Sequence, residues 1–261
     1  MYTIATLDDL RRRLGLSETD ADSDQDLLHS LQEASHLIES LTQRRYCPRL
    51  QSRTVPLGRT APRLLILPDD LLELRAVNDA GGEMDLDRFL RLPEDPNMPA
   101  SILHLARGVT FRLDASAPRA VTIEGIWGWH DRWTQAWVDS GDTVRDSALS
   151  ETGVTVTVND SAGSDADGNS PRFQAGHLLR IKDEYLRVTA VDRQNHHLTV
   201  QRGAQGTLAS THRRGATIET YSPSLPIRDL TVRYAELMMK SHGPLADEPS
   251  SLLSRMRRLT V

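Results

Sequence analysis

A narrow apolar stripe on one predicted helix restricts the fold of this chain more than any other feature. Five apolar residues recur there at alternating spacings of four and three: Leu27, Leu31, Ala34, Ile38 and Leu41. This period predicts a helix with a single apolar seam. The helix should end near Tyr46, because Pro48 disfavours helical geometry at Cys47. A seam this narrow has to lie against another helix.

Helical patterns also occur near both ends of the chain. Near the N-terminus, three leucines share one face of a short helix: Leu7, Leu10 and Leu14. Thr6 can cap this helix with Asp9 in capping-box position, and Gly15 closes it. Before a Gly-Pro pair at 243–244, five residues line another helical face: Ile227, Leu230, Tyr234, Leu237 and Met238. The simplest arrangement that fits these patterns is one body to which both ends of the chain contribute helices.

Strand patterns fill the middle of the chain. Candidate strands of a first group lie at residues 53–57, 63–67, 74–78, 102–105, 109–113 and 120–126. A second group begins with the period-two alternation at 153–158 and, after a polar stretch at 161–170, continues at 177–181, 184–191, 198–202 and 216–220. We predict an α+β fold: a helical body with strands over residues 1–137, an inserted small β-domain over 138–222, and C-terminal helices with a basic tail over 223–261.

Composition excludes several classes of protein. With 38% hydrophobic and 26% charged residues, the chain falls among soluble globular proteins, and we expect neither a membrane span nor an export signal. The single cysteine, Cys47, excludes an intrachain disulfide and a zinc site built on paired cysteines. A net charge of -5 argues against a general nucleic-acid binder, and only residues 223–261 are net basic.

The cationic residues are almost all arginine, since Lys182 and Lys240 are the only two lysines. Codon usage in a GC-rich genome would produce this bias. The planar guanidinium also suits ion pairs at interfaces, so an assembly protein is the alternative explanation.

All four tryptophans fall within one window of eleven residues: Trp127, Trp129, Trp133 and Trp137. The window lies where the body strands end and the inserted domain begins, so we predict an aromatic junction between domains or subunits. We expect Trp127 and Trp129 to be buried in the body. We expect Trp133 and Trp137 to pack where the chain crosses from the body to the inserted domain, or against a neighbouring subunit. A protein-protein interface and a stacking platform for a ligand are the alternatives.

The residues that could support catalysis do not form a recognisable set. The histidines lack metal-ligand spacing, no nucleophile lies in a known elbow, and the acidic stretch 164–169 departs from the calcium-loop pattern. Gly203 and Gly206 follow a predicted strand, which is typical of a turn rather than of a phosphate loop. We therefore predict no catalytic residues, no metal, no cofactor and no enzymatic activity.

Four stretches of the sequence are similar to parts of tailed-bacteriophage proteins. Residues 2–15 and 38–47 resemble the start of head-tail connector (adaptor) proteins. Residues 121–129 resemble a strand of longer neck proteins that ends in Gly-x-Trp-Gly-aromatic. Residues 173–212 are similar to a small β-module of phage head and tail proteins. Together they resemble a long-form connector with an inserted β-module.

This resemblance implies a structural virion protein of the neck, assembled in the host cytoplasm. Its partners would be further copies of itself in a ring, commonly of twelve, the portal protein, a stopper or tail-completion protein, and genomic DNA passing through the lumen without sequence-specific binding. In such rings the C-terminal segment often reaches the portal, so the predicted portal-binding residues are Leu252, Leu253, Arg255, Met256, Arg257, Arg258 and Leu259.

Two other classes compete with the connector. A glycan-binding or adhesive β-domain protein of a phage tail would use the tryptophans and the polar stretch 161–170. A hydrolase would need catalytic residues assembled from positions that show no motif.

Overall fold

Antiparallel sheets, rather than helices, make up most of the molecule. The computed structural model describes residues 3–16, 24–58, 63–113 and 119–241. Within them lie sheets of six, six and two strands and three α-helices. The predicted helical connector body is therefore wrong. A helix signal such as a capping box identifies one helix but says nothing about how much of the chain is helical. All the strands lie between residues 49 and 221, and this stretch is far longer than the three helices.

The three helices form one small layer. They are α1 (Leu7–Leu14), α2 (Asp24–Thr42) and α3 (Leu225–Ser241). The Thr6 capping box and the left-handed Gly15 of α1 are confirmed. Four seam residues of α2 are buried, as predicted. Leu27, Leu31 and Ala34 pack with residues of α1 and α3, and Ile38 packs with Ile4 and Tyr46. Leu41, the fifth, is exposed, so the seam ends one turn earlier than its period suggested.

The first sheet contains six strands: β1 (Arg49–Pro56), β2 (Leu64–Asp79), β3 (Gly82–Glu83), β4 (Phe89–Leu92), β5 (Ala100–Leu105) and β6 (Ala120–Trp127). Its order is β1-β6-β2-β5-β4, with β3 beside β2. β2 replaces two predicted strands with one of 16 residues that shifts register along its length. Residues 109–113, also a predicted strand, are irregular. Where β6 pairs with the irregular part of β2, only glycine fits at Gly125, because a Cβ would lie 2.3 Å from the Glu73 carbonyl oxygen.

The second sheet belongs to the part of the chain that the sequence assigned to an inserted β-module. Its strands are β7 (Trp137–Thr143), β9 (Thr155–Thr157), β10 (Leu178–Ile181), β11 (Glu184–Asp192), β12 (His197–Gln201) and β14 (Thr217–Tyr221), in the order β7-β14-β10-β11-β12-β9. The predicted strands at 177–181, 184–191 and 198–202 are confirmed as β10, β11 and β12, which pair in chain order as antiparallel neighbours. A short pair, β8 (Ala148–Leu149) with β13 (His212–Arg213), forms the third sheet.

Each large sheet has its own apolar core, and a third cluster joins them. The joining cluster contains Cys47, Leu72, Ile126, Trp133, Ala136, Leu178, Tyr185, Ala204 and Tyr221. Polar contacts reinforce it: the Tyr221 hydroxyl donates to the Tyr46 carbonyl at 2.8 Å, and Arg49 Nε donates to Gln205 Oε1 at 2.9 Å. The two sheets are therefore held together by packing as well as by the chain.

Candidate functional site

The most conspicuous surface is an apolar face on the outer side of β2, β5 and β4. Six side chains form two rows across these strands, Leu64, His104 and Leu90 in one row and Ile66, Ile102 and Leu92 in the other. Ile66 is 70% exposed and Leu90 45%, and the other four are half-buried. We call these six residues the apolar face.

Strand geometry explains why these residues share a surface. Directly paired residues of antiparallel strands lie on the same side, and neighbours along a strand alternate between sides. Leu65 and Leu103 alternate with the exposed rows and are buried in the first core. The edge strand β4 contributes Leu90 and Leu92 to the face, and residues 83–95, which include β4, hold five acidic and two basic side chains. The segment that contains the edge strand is therefore net acidic.

Sequence reasoning missed the apolar face. Its signal is present in the strings Leu64 to Leu67 and Ile102 to Leu105, where apolar residues follow one another instead of alternating with polar ones. Such a run is typical of a strand covered on both sides. In the described residues, only the inner side of these runs meets the core.

Trp127 and Trp129 lie in different parts of the body. Trp127 is buried in the first core, its indole N–H donates to the Gln51 carbonyl at 2.9 Å, and Arg53 lies over the ring at 4.9 Å. Trp129 is half-buried and meets Tyr46 edge-on at 5.6 Å between centroids, beside the helical layer.

Trp133 and Trp137 belong to the cluster that joins the sheets. Trp133 is buried there and donates its indole N–H to Glu73 Oε1 of the first sheet at 3.1 Å. Trp137 is half-buried, with Tyr185 at 4.9 Å, Tyr221 at 5.3 Å and Arg180 at 4.6 Å. The four rings therefore occupy three separate clusters and do not line one flat surface, as a stacking platform for a glycan would require.

The predicted portal-binding residues, Leu252, Leu253, Arg255, Met256, Arg257, Arg258 and Leu259, lie outside the described residues.

The Gly203 and Gly206 motif forms part of a locked loop in the second sheet. Gly206 adopts a φ of +84°, and a Cβ there would lie 2.2 Å from the Leu50 carbonyl oxygen, so this turn packs directly on β1. The base of the loop is held by the buried carboxylate of Glu184, which pairs with Arg202 and His212. This loop is a structural tie between the two sheets.

Neither a metal centre nor a membrane-crossing helix is found in the described ranges. Among those residues, no group of three His, Cys, Asp or Glu side chains could hold a metal ion. None of α1, α2 and α3 combines the length and apolar character that crossing a membrane requires.

His177 gives the molecule a measurable dependence on pH. Burial lowers the pKa of the His177 imidazole to about 4; Asp9 and Asp165 oppose this effect, and Arg228 adds to it. Because an unfolded histidine titrates near pH ~6.5, the unfolded chain binds a proton that the folded chain refuses as the pH falls from there to about 4. Stability therefore falls across this window and levels off below it.

We expect acidification across this window to remove up to about 3 kcal/mol of unfolding free energy through His177. His177→Gln should flatten that part of the profile, measured by urea unfolding at a series of pH values. Burial also lowers the pKa of His130, so a weaker slope in the same direction should persist in the variant. Identical slopes in both proteins would contradict the assignment.

The chain matches no family model, no curated protein sequence and no solved structure.

Proposed function

We propose that the chain is a structural protein of the neck of a tailed bacteriophage, a subunit of the ring that joins the portal of the DNA-filled capsid to the stopper or the tail. The apolar face carries this proposal. Single subunits seldom leave contiguous apolar surface exposed unless another protein covers it. Five of its six side chains are apolar, and the six lie in two directly paired rows across three strands.

The charges of the chain support the same role. The net acidic segment 83–95, which contains the edge strand β4, favours a partner surface with arginines, which this chain itself has in abundance. Residues 1–134 carry a net charge of -5. An acidic lining of a ring lumen would let DNA slide past, since like charges do not bind its phosphates.

The proposed partners follow from this role. They are further copies of the chain in a ring of about twelve, which is the number that the connector resemblance implies, the portal protein, and a stopper or tail-completion protein. Genomic DNA would pass through the lumen without sequence-specific contacts. The protein would act in the virion neck after assembly in the host cytoplasm.

The mass of the native assembly tests this proposal. The purified protein is weighed by native mass spectrometry alone and after mixing with portal-containing capsids or isolated portal. We expect a ring or a portal-bound ring of the full-length chain, and loss of portal binding in a chain that ends at residue 247. A monomer that never binds portal would contradict the proposed function, whereas binding by the shortened chain would contradict only the role of residues 252–259.

A further inference from the structure

Helix α3 carries a second apolar surface, separate from the apolar face. Leu230 is 37% exposed and Leu237 60%, and the two lie two turns apart on one side of the helix. Arg233 and Tyr234 fall between them on the same side; Arg233 is exposed and Tyr234 half-buried. Ala235, on the far side, is buried among residues of α1 and α2. We call Leu230, Arg233, Tyr234 and Leu237 the helical ridge.

The helical layer covers only part of the apolar stripe of α3. The sequence predicted one helical face from five residues: Ile227, Leu230, Tyr234, Leu237 and Met238. Ile227 and Met238 pack against buried clusters in which α2 takes part, whereas Leu230 and Leu237 are exposed. The stripe is therefore wider than the contact with α1 and α2, and its outer part is open to a partner.

A ring of identical subunits needs two different surfaces that fit each other, because each subunit meets one neighbour on each side. The inference rests on the proposed function at this point. The apolar face is one such surface. Across the ranges that the structure describes, α3 is the only helix or strand with more than one large hydrophobic side chain that is exposed. The helical ridge is therefore the best match for the second surface.

The two surfaces agree in length. Leu230 and Leu237 are seven residues apart, which is about 10 Å along a helix axis. Strands of a sheet lie about 4.8 Å apart, so the three strands of the apolar face span about 10 Å from β2 to β4. A ridge that crosses the strands can therefore place one leucine beside β2, where Ile66 is exposed, and the other beside β4, where Leu90 is exposed.

The charges of the two surfaces are complementary. The five acidic side chains of the segment 83–95 are all exposed. Residues 230–241 carry two basic side chains, Arg233 and Lys240, and one acidic side chain. Arg233 pairs with Asp229 at 2.8 Å, but both side chains are more than half exposed, and an exposed pair of this kind is weak. Arg233 can therefore turn towards a carboxylate of a neighbouring subunit.

The same charges disfavour contact between two apolar faces. Such a face-to-face dimer would bring two net acidic segments into one contact, where like charges repel. It would also use the same surface on both subunits, so assembly through this contact would stop at two copies. A ring needs a different surface opposite the apolar face.

We infer that the helical ridge of one subunit packs on the apolar face of the next, and that repetition of this head-to-tail contact closes the ring. Each subunit then buries its ridge against one neighbour and its apolar face against the other. Leu237→Asp should consequently weaken ring assembly as strongly as Ile66→Asp does, although the two residues lie on different elements.

Cysteine cross-linking tests which surfaces meet. Cys47 is the single cysteine of the chain and is buried, so introduced cysteines react selectively. Ile66 and Leu237 are both more than half exposed, so their replacement leaves the subunit folded. The assembled double variant Ile66→Cys, Leu237→Cys, alone or on isolated portal, is treated with a short bis-maleimide and separated on a denaturing gel. We expect a ladder of cross-linked chains that reaches the copy number given by native mass spectrometry.

Three controls define the contact. A mixture of the single variants Ile66→Cys and Leu237→Cys should give cross-linked dimers and nothing larger, because each chain has one reactive side. Each single variant alone should give no cross-linked product. Ile66→Cys combined with Val154→Cys, which places the second cysteine at an exposed position beside β9, should give no ladder. If the double variant does not assemble, the presence or absence of dimers in the mixture of single variants decides the question.

Two results would overturn the inference and leave the proposed function intact. One is an assembled ring in which the double variant gives no ladder. The other is a ring in which Ile66→Cys alone cross-links to itself or to portal. A protein that native mass spectrometry shows as a monomer, with and without portal, would contradict both the inference and the proposed function.

Discussion

Glu184→Gln is expected to lower the free energy of unfolding by about 3 to 5 kcal/mol, the cost of removing one partner from a buried ion pair. The side chains of Glu184 and His212 are fully buried, and that of Arg202 nearly so. Glutamine keeps the shape of the side chain but removes its charge. The Arg202 guanidinium would then remain buried without a counter-ion.

Five donors converge on this one carboxylate. Arg202 donates from Nε at 2.7 Å and from Nη2 at 2.8 Å, and His212 Nε2 lies at 2.7 Å. The backbone N–H groups of Gly203 and Ser210 donate at 3.1 and 3.0 Å. Burial alone would raise the pKa of Glu184, but these hydrogen bonds hold it below its usual range. The ionised carboxylate is thus the centre that fixes both ends of the Gly203 loop.

Urea unfolding followed by circular dichroism measures this loss, and limited proteolysis of residues 203–211 reports loosening of the loop. The matched control is Asp229→Asn on α3, where the pair with Arg233 at 2.8 Å is more than half exposed. An exposed pair of this kind contributes about 1 kcal/mol or less. Equal losses in the two variants would show that the Glu184 network does not hold the loop.

Local periodicity predicted most of the helices and strands but not their proportion, since the body was predicted to be mainly helical. The alternation at 153–158 and the Thr6 capping box depend on neighbouring residues, which a single sequence displays directly. The bounds of β2, by contrast, could not be predicted from neighbouring residues. Two strands were predicted, at 63–67 and 74–78, whereas the structure continues one strand through a register shift between Ile66 and Leu71. A shift of that kind is decided by the partner strand β5.

The apolar face and the Glu184 network depend on pairings that the sequence does not display. Leu64 and Leu90 come together only because both strands pair with His104 of β5. Likewise, Glu184, Arg202 and His212 meet only after β11 and β12 pair and the following loop folds back. Long-range register, rather than local propensity, creates both features.

Ile66→Asp is expected to weaken assembly strongly without unfolding the subunit. Because the side chain is 70% exposed in the single subunit, the substitution should change the unfolding free energy by about 0.5 kcal/mol or less. In an assembled ring it would lose the burial of an isoleucine, about 1.5 to 3 kcal/mol, and would bury an unpaired carboxylate in the contact. Together these effects should weaken the contact on the order of 100-fold.

The concentration dependence of the assembly mass, alone or on isolated portal, measures this loss, and Leu90→Asp should reproduce it because Leu90 lies on the same face at 45% exposure. Val154→Asp is the matched control: its side chain is 55% exposed but precedes β9 in the second sheet, away from the face. Substituting all three positions with the same residue separates the effect of the apolar face from that of added negative charge. A buried contact cannot accept an unpaired carboxylate without weakening. A folded Ile66→Asp protein that assembles as the wild type does would therefore show that the apolar face is not a subunit contact, and the proposed neck function would lose its main support.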